Sequence, residues 1–240
     1  MSRSDIMSNV KDPIKDIRHW LRLRFFAENI NEGKILIIGD HTGAEFEYFR
    51  KVFPNAEIDS LDLLKNKHVN IVVDIQKFKP RKKYDAVIMN NVLEHLEHDF
   101  LVLRNIRKML SEKGRLCIAV PLQNDDNADF HVQLYNTKIF DRTLEVCGFK
   151  KVDYMEYGVF FGYWYYFLKR WFRFMNEWIY RNYRNFRLFN KGKYRGCNYI
   201  CEKSDECYDY LKVNKSTFSN LIKNKSNAYR SNLRSKPERK

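Results

Sequence analysis

Apolar residues recur along this chain in two different periods. Ile14, Ile17, Leu21 and Phe25 fall at helical spacing and predict an amphipathic helix over 14–30, broken by Asn31-Glu32-Gly33. The apolar run Ile35-Leu36-Ile37-Ile38 then predicts a buried strand over 34–38. A helix over 44–53 stops before Pro54, and the segments 56–63, 69–75 and 84–91 read as the second, third and fourth strands. A helix over 99–110 follows, then a turn at Glu112-Lys113-Gly114 and a fifth strand over 115–121 stopped by Pro121. A polar loop at 123–130 leads to a helix over 136–147, capped by Gly148, and a further strand begins at Phe149. Strands alternating with helices at this spacing predict an α/β fold built on a doubly wound, mostly parallel sheet.

Ligands of such sheets bind beyond the carboxyl ends of the strands, so those ends carry the candidate chemistry. The first strand ends in Gly39-Asp40-His41-Thr42-Gly43; Gly-x-Gly-x-x-Gly and the phosphate-loop Gly-Lys-Ser/Thr are both absent. Gly39 and Gly43 permit close backbone approach, and the helix that follows offers free N–H donors at its start. The second strand ends at Asp62, followed by Leu63, the third at Asp74, followed by Ile75, and the fourth at Asn90-Asn91. An acid about twenty residues after such a loop suits a bidentate contact to ribose hydroxyls. An acid one strand later suits an exocyclic adenine amine. Acids in these places also cap helices or sit in solvated turns; their coincidence in register favours a nucleoside ligand.

The stretch YDAVIMNNVLEHLEHDFLVLRNIRKMLSEKGRLCIAVP, residues 84–121, opens with an aromatic–Asp pair, passes an LEHL turn, and sends a helix through a Gly into an apolar strand. FHVQLYNTKIFDRTLEVCGFKKV, residues 130–152, adds a His-containing loop, a helix and a Gly-Phe turn. In these features the segment from 34 to about 157 resembles class I S-adenosylmethionine-dependent methyltransferases of the small-molecule type. The resemblance implies a Rossmann-like methyltransferase fold and S-adenosyl-L-methionine as cofactor. It places Gly39, Asp40, Thr42, Gly43, Asp62, Leu63, Asp74, Ile75 and Asn90 around that cofactor. The family's usual opening loop has an acid two places before the first Gly, then Gly-x-Gly-x-Gly. Here Ile37 and His41 stand where the acid and the middle glycine belong. That acid ordinarily receives the methionine ammonium. A subset found beside glycan-building enzymes is similar to this chain in its Ile-Gly-Asp and in a later Tyr-Gly entering an aromatic stretch. The resemblance then implies that Asp40 takes over the ammonium contact.

A sulfonium methyl is already activated, so the protein's part is to align the acceptor and strip away water. An oxygen acceptor also needs a base, for which histidine is suited near neutral pH. His131, in the loop after the fifth strand, is placed to face an acceptor, with His95 of the LEHL turn second. A solvated loop histidine is the alternative for each.

Cysteine usage and charge narrow the setting. Cysteines 117, 147, 197, 201 and 207 form no paired framework, which favours a reducing, cytoplasmic compartment. The spacing Cys197-x3-Cys201-x5-Cys207 fits no common zinc knuckle, so no metal is expected. Met1 to Pro13 is polar, without the apolar core of a signal peptide. The net charge of +14 is concentrated late: residues 1–157 carry 25 Lys/Arg against 24 Asp/Glu, and 158–240 carry 19 against 6. Such an excess usually marks a surface for an anionic partner.

The same late region holds fifteen aromatics within 158–190. Plotted as a helix, Trp164, Trp171, Phe174 and Trp178 gather on one face and Arg170, Arg173, Arg181 and Arg184 on the other. That separation points to an anionic membrane surface along 164–187, the inner face if cytoplasmic, with a core or lid helix as the alternative. The chain then divides into an N-terminal helix (1–33), a cofactor-binding domain (34–157), an aromatic, basic helical C-terminal extension (158–203) and a basic tail (204–240). Three readings remain open. One is a methyltransferase acting on a small or lipid-linked acceptor such as a glycan, by O-methylation. Another is an RNA or protein methyltransferase capturing its target through the basic end. The third is a non-catalytic module that keeps the fold. Nucleic acid is the less favoured partner; Asn90-Asn91 lacks the Asn/Asp-Pro-Pro-Tyr/Phe pattern of adenine and glutamine N-methyltransferases, which counts against one branch of the second reading.

Overall fold

A computed structural model describes residues 17–122, 131–158 and 194–205. The elements run α1 (Ile17–Glu28), β1 (Lys34–Ile38), α2 (Ala44–Val52), β2 (Glu57–Asp62), β3 (Ile71–Val72), β4 (Tyr84–Asn90), α3 (Asp99–Met109), β5 (Leu110–Pro121), α4 (Thr137–Val146), β6 (Phe149–Gly158) and β7 (Tyr194–Lys203). A 3-10 turn, Leu93–His95, lies between β4 and α3. The seven strands form one sheet in the order β3-β2-β1-β4-β5-β7-β6, with β7 antiparallel to both neighbours and the other pairings parallel. The expected Rossmann-like architecture is therefore present.

Period-two alternation assigns each strand's side chains to two cores. Ile35, Ile37, Ala86, Ile88, Cys117, Ala119, Met155 and Ile200 pack under α1 and α2, whose Phe25, Phe26, Tyr48 and Phe49 are completely buried. Leu36, Ile38, Val87, Met89, Ile118 and Tyr199 face the other way, onto Val102, Leu103 and Ile106 of α3 and Phe140 of α4. The helices follow from the sequence locally. In α2 the buried positions Glu45, Tyr48, Phe49 and Val52 make one stripe, with Glu45 and Glu47 in the first turn and Arg50 and Lys51 in the last, matching the helix dipole. The Asn136 side chain caps α4 by accepting from the Ile139 amide at 2.9 Å.

Three sequence expectations change. The third strand, expected over 69–75, is only Ile71–Val72, so Asp74 and Ile75 lie in the turn beyond it. The fifth strand begins at Leu110 and absorbs the expected turn: two residues of β4, Tyr84 and Ala86, face Leu110 and Arg115, and 111–114 bulge between them. The helical extension expected over 158–203 ends otherwise than supposed. From Tyr194 it is β7, inserted between β5 and β6. Its alternation of buried Cys197, Tyr199 and Cys201 against Ile200 is a strand period that the aromatic region upstream obscured. Cys197 and Cys201 are thus strand residues packed in the sheet's core, where burial pushes both thiols well above their usual range.

The aromatic stripe at 164–187 and the tail beyond 205 lie outside the described residues. Among the described residues no helix is long and apolar enough to cross a membrane.

Candidate active site

The loop after β1 is built by its two glycines and Asp40. Gly39 and Gly43 have φ of 81° and 75°, and a Cβ on Gly43 would meet His68 Cδ2 at 2.2 Å. A Cβ on Gly39 would strike Val92. Asn66 ties the loop down by donating to the carbonyls of Asp40 (3.1 Å) and His41 (2.9 Å). Thr42 Oγ1 accepts from the Ala44 amide at 3.3 Å. The result is a bare backbone cradle opening onto the start of α2.

Asp40 is itself engaged in that cradle. Its Oδ2 accepts from the Phe46 amide at 2.7 Å and its Oδ1 from the Glu45 amide at 3.3 Å. The side chain is only 2% exposed. Burial and then the neighbouring Glu45 charge raise its pKa to about 6, against the lowering pull of the backbone amides. Beside it stands a group that sequence reasoning missed. Glu45, on the first turn of α2, accepts from the Asn90 side-chain amide and lies 3.3 Å from His19 Nε2. Arg22 of α1, also buried, donates to the other end of the Asn90 amide. Asn90 follows Ala86 and Ile88 along β4, so all three side chains meet on the sheet face that also carries Ile37.

The other expected cofactor residues fall at the same edge. Asp62 ends β2, half-buried, with Oδ1 accepting from the Leu64 amide at 2.9 Å; Leu63 is exposed. Asp74 Oδ1 accepts from the Gln76 amide at 2.9 Å, and Ile75 is buried behind it. Asn91 takes a left-handed φ of 52°, and its amide bonds the Ala119 carbonyl at 3.0 Å, turning the chain sharply out of β4.

His95 and His131 are brought together. The amides of Val132 and Gln133 both donate to the Glu94 carbonyl at 2.9 Å, which docks the loop after β5 on the turn after β4. The two imidazoles meet edge to face with centroids 5.1 Å apart. His95 is exposed, His131 half-buried, and Glu94 beneath them is buried. One ligand atom from each of the three lies within 4.8 Å of the others.

A second residue without a sequence signal is Asn198. The strand register runs Asn90–Ala119–Asn198–Met155 across four strands. Asn198 is completely buried, and neither its amide nitrogen nor its oxygen has a partner. Only the small Ala119 separates it along the row from Asn90.

Comparison with known proteins agrees with this fold. The family described as "Methyltransferase domain" matches residues 9–185. A malonyl-[acyl-carrier protein] O-methyltransferase of Ilyobacter polytropus is 34% identical over 91 residues, covering 32% of this chain and 35% of that protein. The chain thus spans about a third of the length of that curated relative. The fold is shared with a 1,6-didemethyltoxoflavin-N1-methyltransferase of Burkholderia thailandensis bound to S-adenosylhomocysteine. That similarity has 15% identity and a TM-score of 0.55, over 85% of this chain and 87% of that one. An O-methyltransferase from a trans-AT polyketide synthase of Brevibacillus brevis, also with S-adenosylhomocysteine, is similar at 14% identity and a TM-score of 0.54, over 85% of this chain and 80% of that one. A family match that takes in β1 to β6, the loop 39–43 and the four helices makes this chain a member of the methyltransferase-domain family.

Proposed function

We propose that this protein methylates an oxygen of a small-molecule acceptor, with the cofactor held by the loop 39–43, Asp62 and Asp74. The observation that carries this reading is the placement of His131 and His95 in contact at the β4 and β5 edge of the same pole. The cofactor supplies an activated methyl group. Everything else is asked of the chain. The Gly39 and Gly43 backbone lets the nucleoside's amino-acid end approach, Asp62 accepts from ribose hydroxyls, and Asp74 with Ile75 frames the adenine. His131 takes the proton of the acceptor hydroxyl, and His95 packs against the ring that does so. A base so placed contributes roughly 10²–10⁴-fold.

The acceptor's finer identity rests on sequence. The Gly39-Asp40 loop and the aromatic, basic stretch at 158–190 support a lipid-linked or glycan acceptor met at an anionic membrane surface. The partial relative acts on a malonyl-acyl carrier, which favours a second reading in which the methylated oxygen is a carboxylate and needs no base. The test is to supply methyl-labelled S-adenosylmethionine with separate small-molecule, lipid, RNA and protein fractions. Label should enter the small-molecule or lipid fraction, at least a hundredfold more slowly in His131→Ala, with S-adenosylhomocysteine affinity unchanged. Full activity of His131→Ala would favour the carboxylate acceptor. Label in RNA or protein would overturn the reading, and cofactor binding without transfer to any fraction would make the chain a binding module.

A further inference from the structure

We infer that the acid missing from the end of β1 has moved to the first turn of α2, and that Glu45, paired with Arg22, is the clamp for the cofactor's methionine end. This rests on the S-adenosylmethionine reading above and names residues that neither the family pattern nor the loop sequence points to.

The usual position is occupied by Ile37, which is completely buried among the side chains of α1 and α2 and brings no charge. Asp40 is the nearest alternative in sequence. Both of its oxygens, however, already accept from the amides that open α2, so it serves the loop's shape. Glu45 differs in the one respect that matters. It is 5% exposed, its Oε1 takes the Asn90 and His19 contacts, and its Oε2 has no partner at all. A buried carboxylate oxygen without a donor is costly in isolation, because desolvation is then uncompensated. A bound ammonium would supply the missing donor and a neutralising charge together.

Arg22 completes the pattern. Asn90 bridges the two, accepting from Arg22 at its carbonyl end and donating to Glu45 at its amide end. A guanidinium and a carboxylate held on opposite ends of one side-chain amide match the two charges of an α-amino acid, carboxylate toward Arg22 and ammonium toward Glu45. The pair lies beside the glycine cradle, on the sheet face where the family's acid would have stood.

The test measures binding by the full chain with three ligands: S-adenosylhomocysteine, its analogue lacking the α-amino group, and adenosine. Wild type should prefer S-adenosylhomocysteine to the desamino analogue by at least tenfold. Glu45→Gln should abolish that preference while leaving adenosine affinity unchanged, and Glu45→Ala should do the same. Arg22→Gln should weaken S-adenosylhomocysteine and the desamino analogue alike, since both keep the carboxylate. Removing a buried charge beside Asp40 should not lower the melting temperature of Glu45→Gln. The inference is overturned if Glu45→Gln keeps the preference, or if the variant loses adenosine and S-adenosylhomocysteine equally. It is also overturned if Asp40→Asn alone removes the preference. A folded wild type that binds no S-adenosylhomocysteine defeats the cofactor reading itself, and this one with it.

Discussion

Asn90 at the end of β4 donates to Glu45 on α2, joining the fourth strand to the helix that opens from the loop 39–43. Through the same amide Arg22 is held from α1. Three elements that the chain visits at widely separated points therefore share one polar junction. It is placed where the sheet's order turns outward on either side of β1 and β4. Brought so close, Asp40 and Glu45 repel one another, and that repulsion has a measurable consequence.

Asp40 has a folded-state pKa of about 6, raised above its ordinary 3.8 by burial and by Glu45. The folded chain therefore binds this proton more tightly than the unfolded chain does. The resulting stabilisation is complete below about pH 3.8, fades as pH rises through 6, and is gone above it. Denaturant unfolding of wild type and Asp40→Asn at pH 4.5 and pH 7.5 isolates it. Wild type should lose about 2 kcal/mol relative to the variant over that interval. Parallel stabilities would contradict the raised pKa.

Gly43 should not tolerate a side chain. Its left-handed φ costs an L-residue about 1–2 kcal/mol, and the added Cβ would lie 2.2 Å from His68. Gly43→Ala should therefore lower stability by at least that amount and weaken S-adenosylhomocysteine binding. A variant of wild-type stability and affinity would show that the loop is not shaped by this residue.

Asn198 offers a separation of function from stability. Its buried amide lacks partners for both donor and acceptor, so Asn198→Leu should raise stability, by about 1 kcal/mol or more. If the amide is kept for the acceptor, methyl transfer should fall while cofactor affinity holds. Loss of stability on substitution would mean that the amide supports the fold.

Much of this fold was legible because β1, β4 and the later half of β5 are apolar runs with their own boundary signals. Pro54, Gly33 and Pro121 mark edges that the structure keeps to within a few residues. The strand ends carrying Gly39, Gly43, Asp62 and Asn90 were equally visible. β7 was not, because its alternation sits behind a stretch of aromatics whose helical period dominates the pattern. Glu45 was not visible either. Its helical position reads as an ordinary acid complementing the dipole, and only the meeting of α1, α2 and β4 reveals it as buried. Asn198 likewise becomes notable only through a register that spans four strands.

The central claim is that the β1, β2 and β3 edge holds S-adenosyl-L-methionine, and calorimetric titration of the full chain with S-adenosylhomocysteine tests it most directly. The account predicts one equivalent bound per chain, with Asp62→Ala folded but binding at least tenfold more weakly, about 1.4 kcal/mol. A folded wild type that gives no binding, or an Asp62→Ala variant with unchanged affinity, would contradict it.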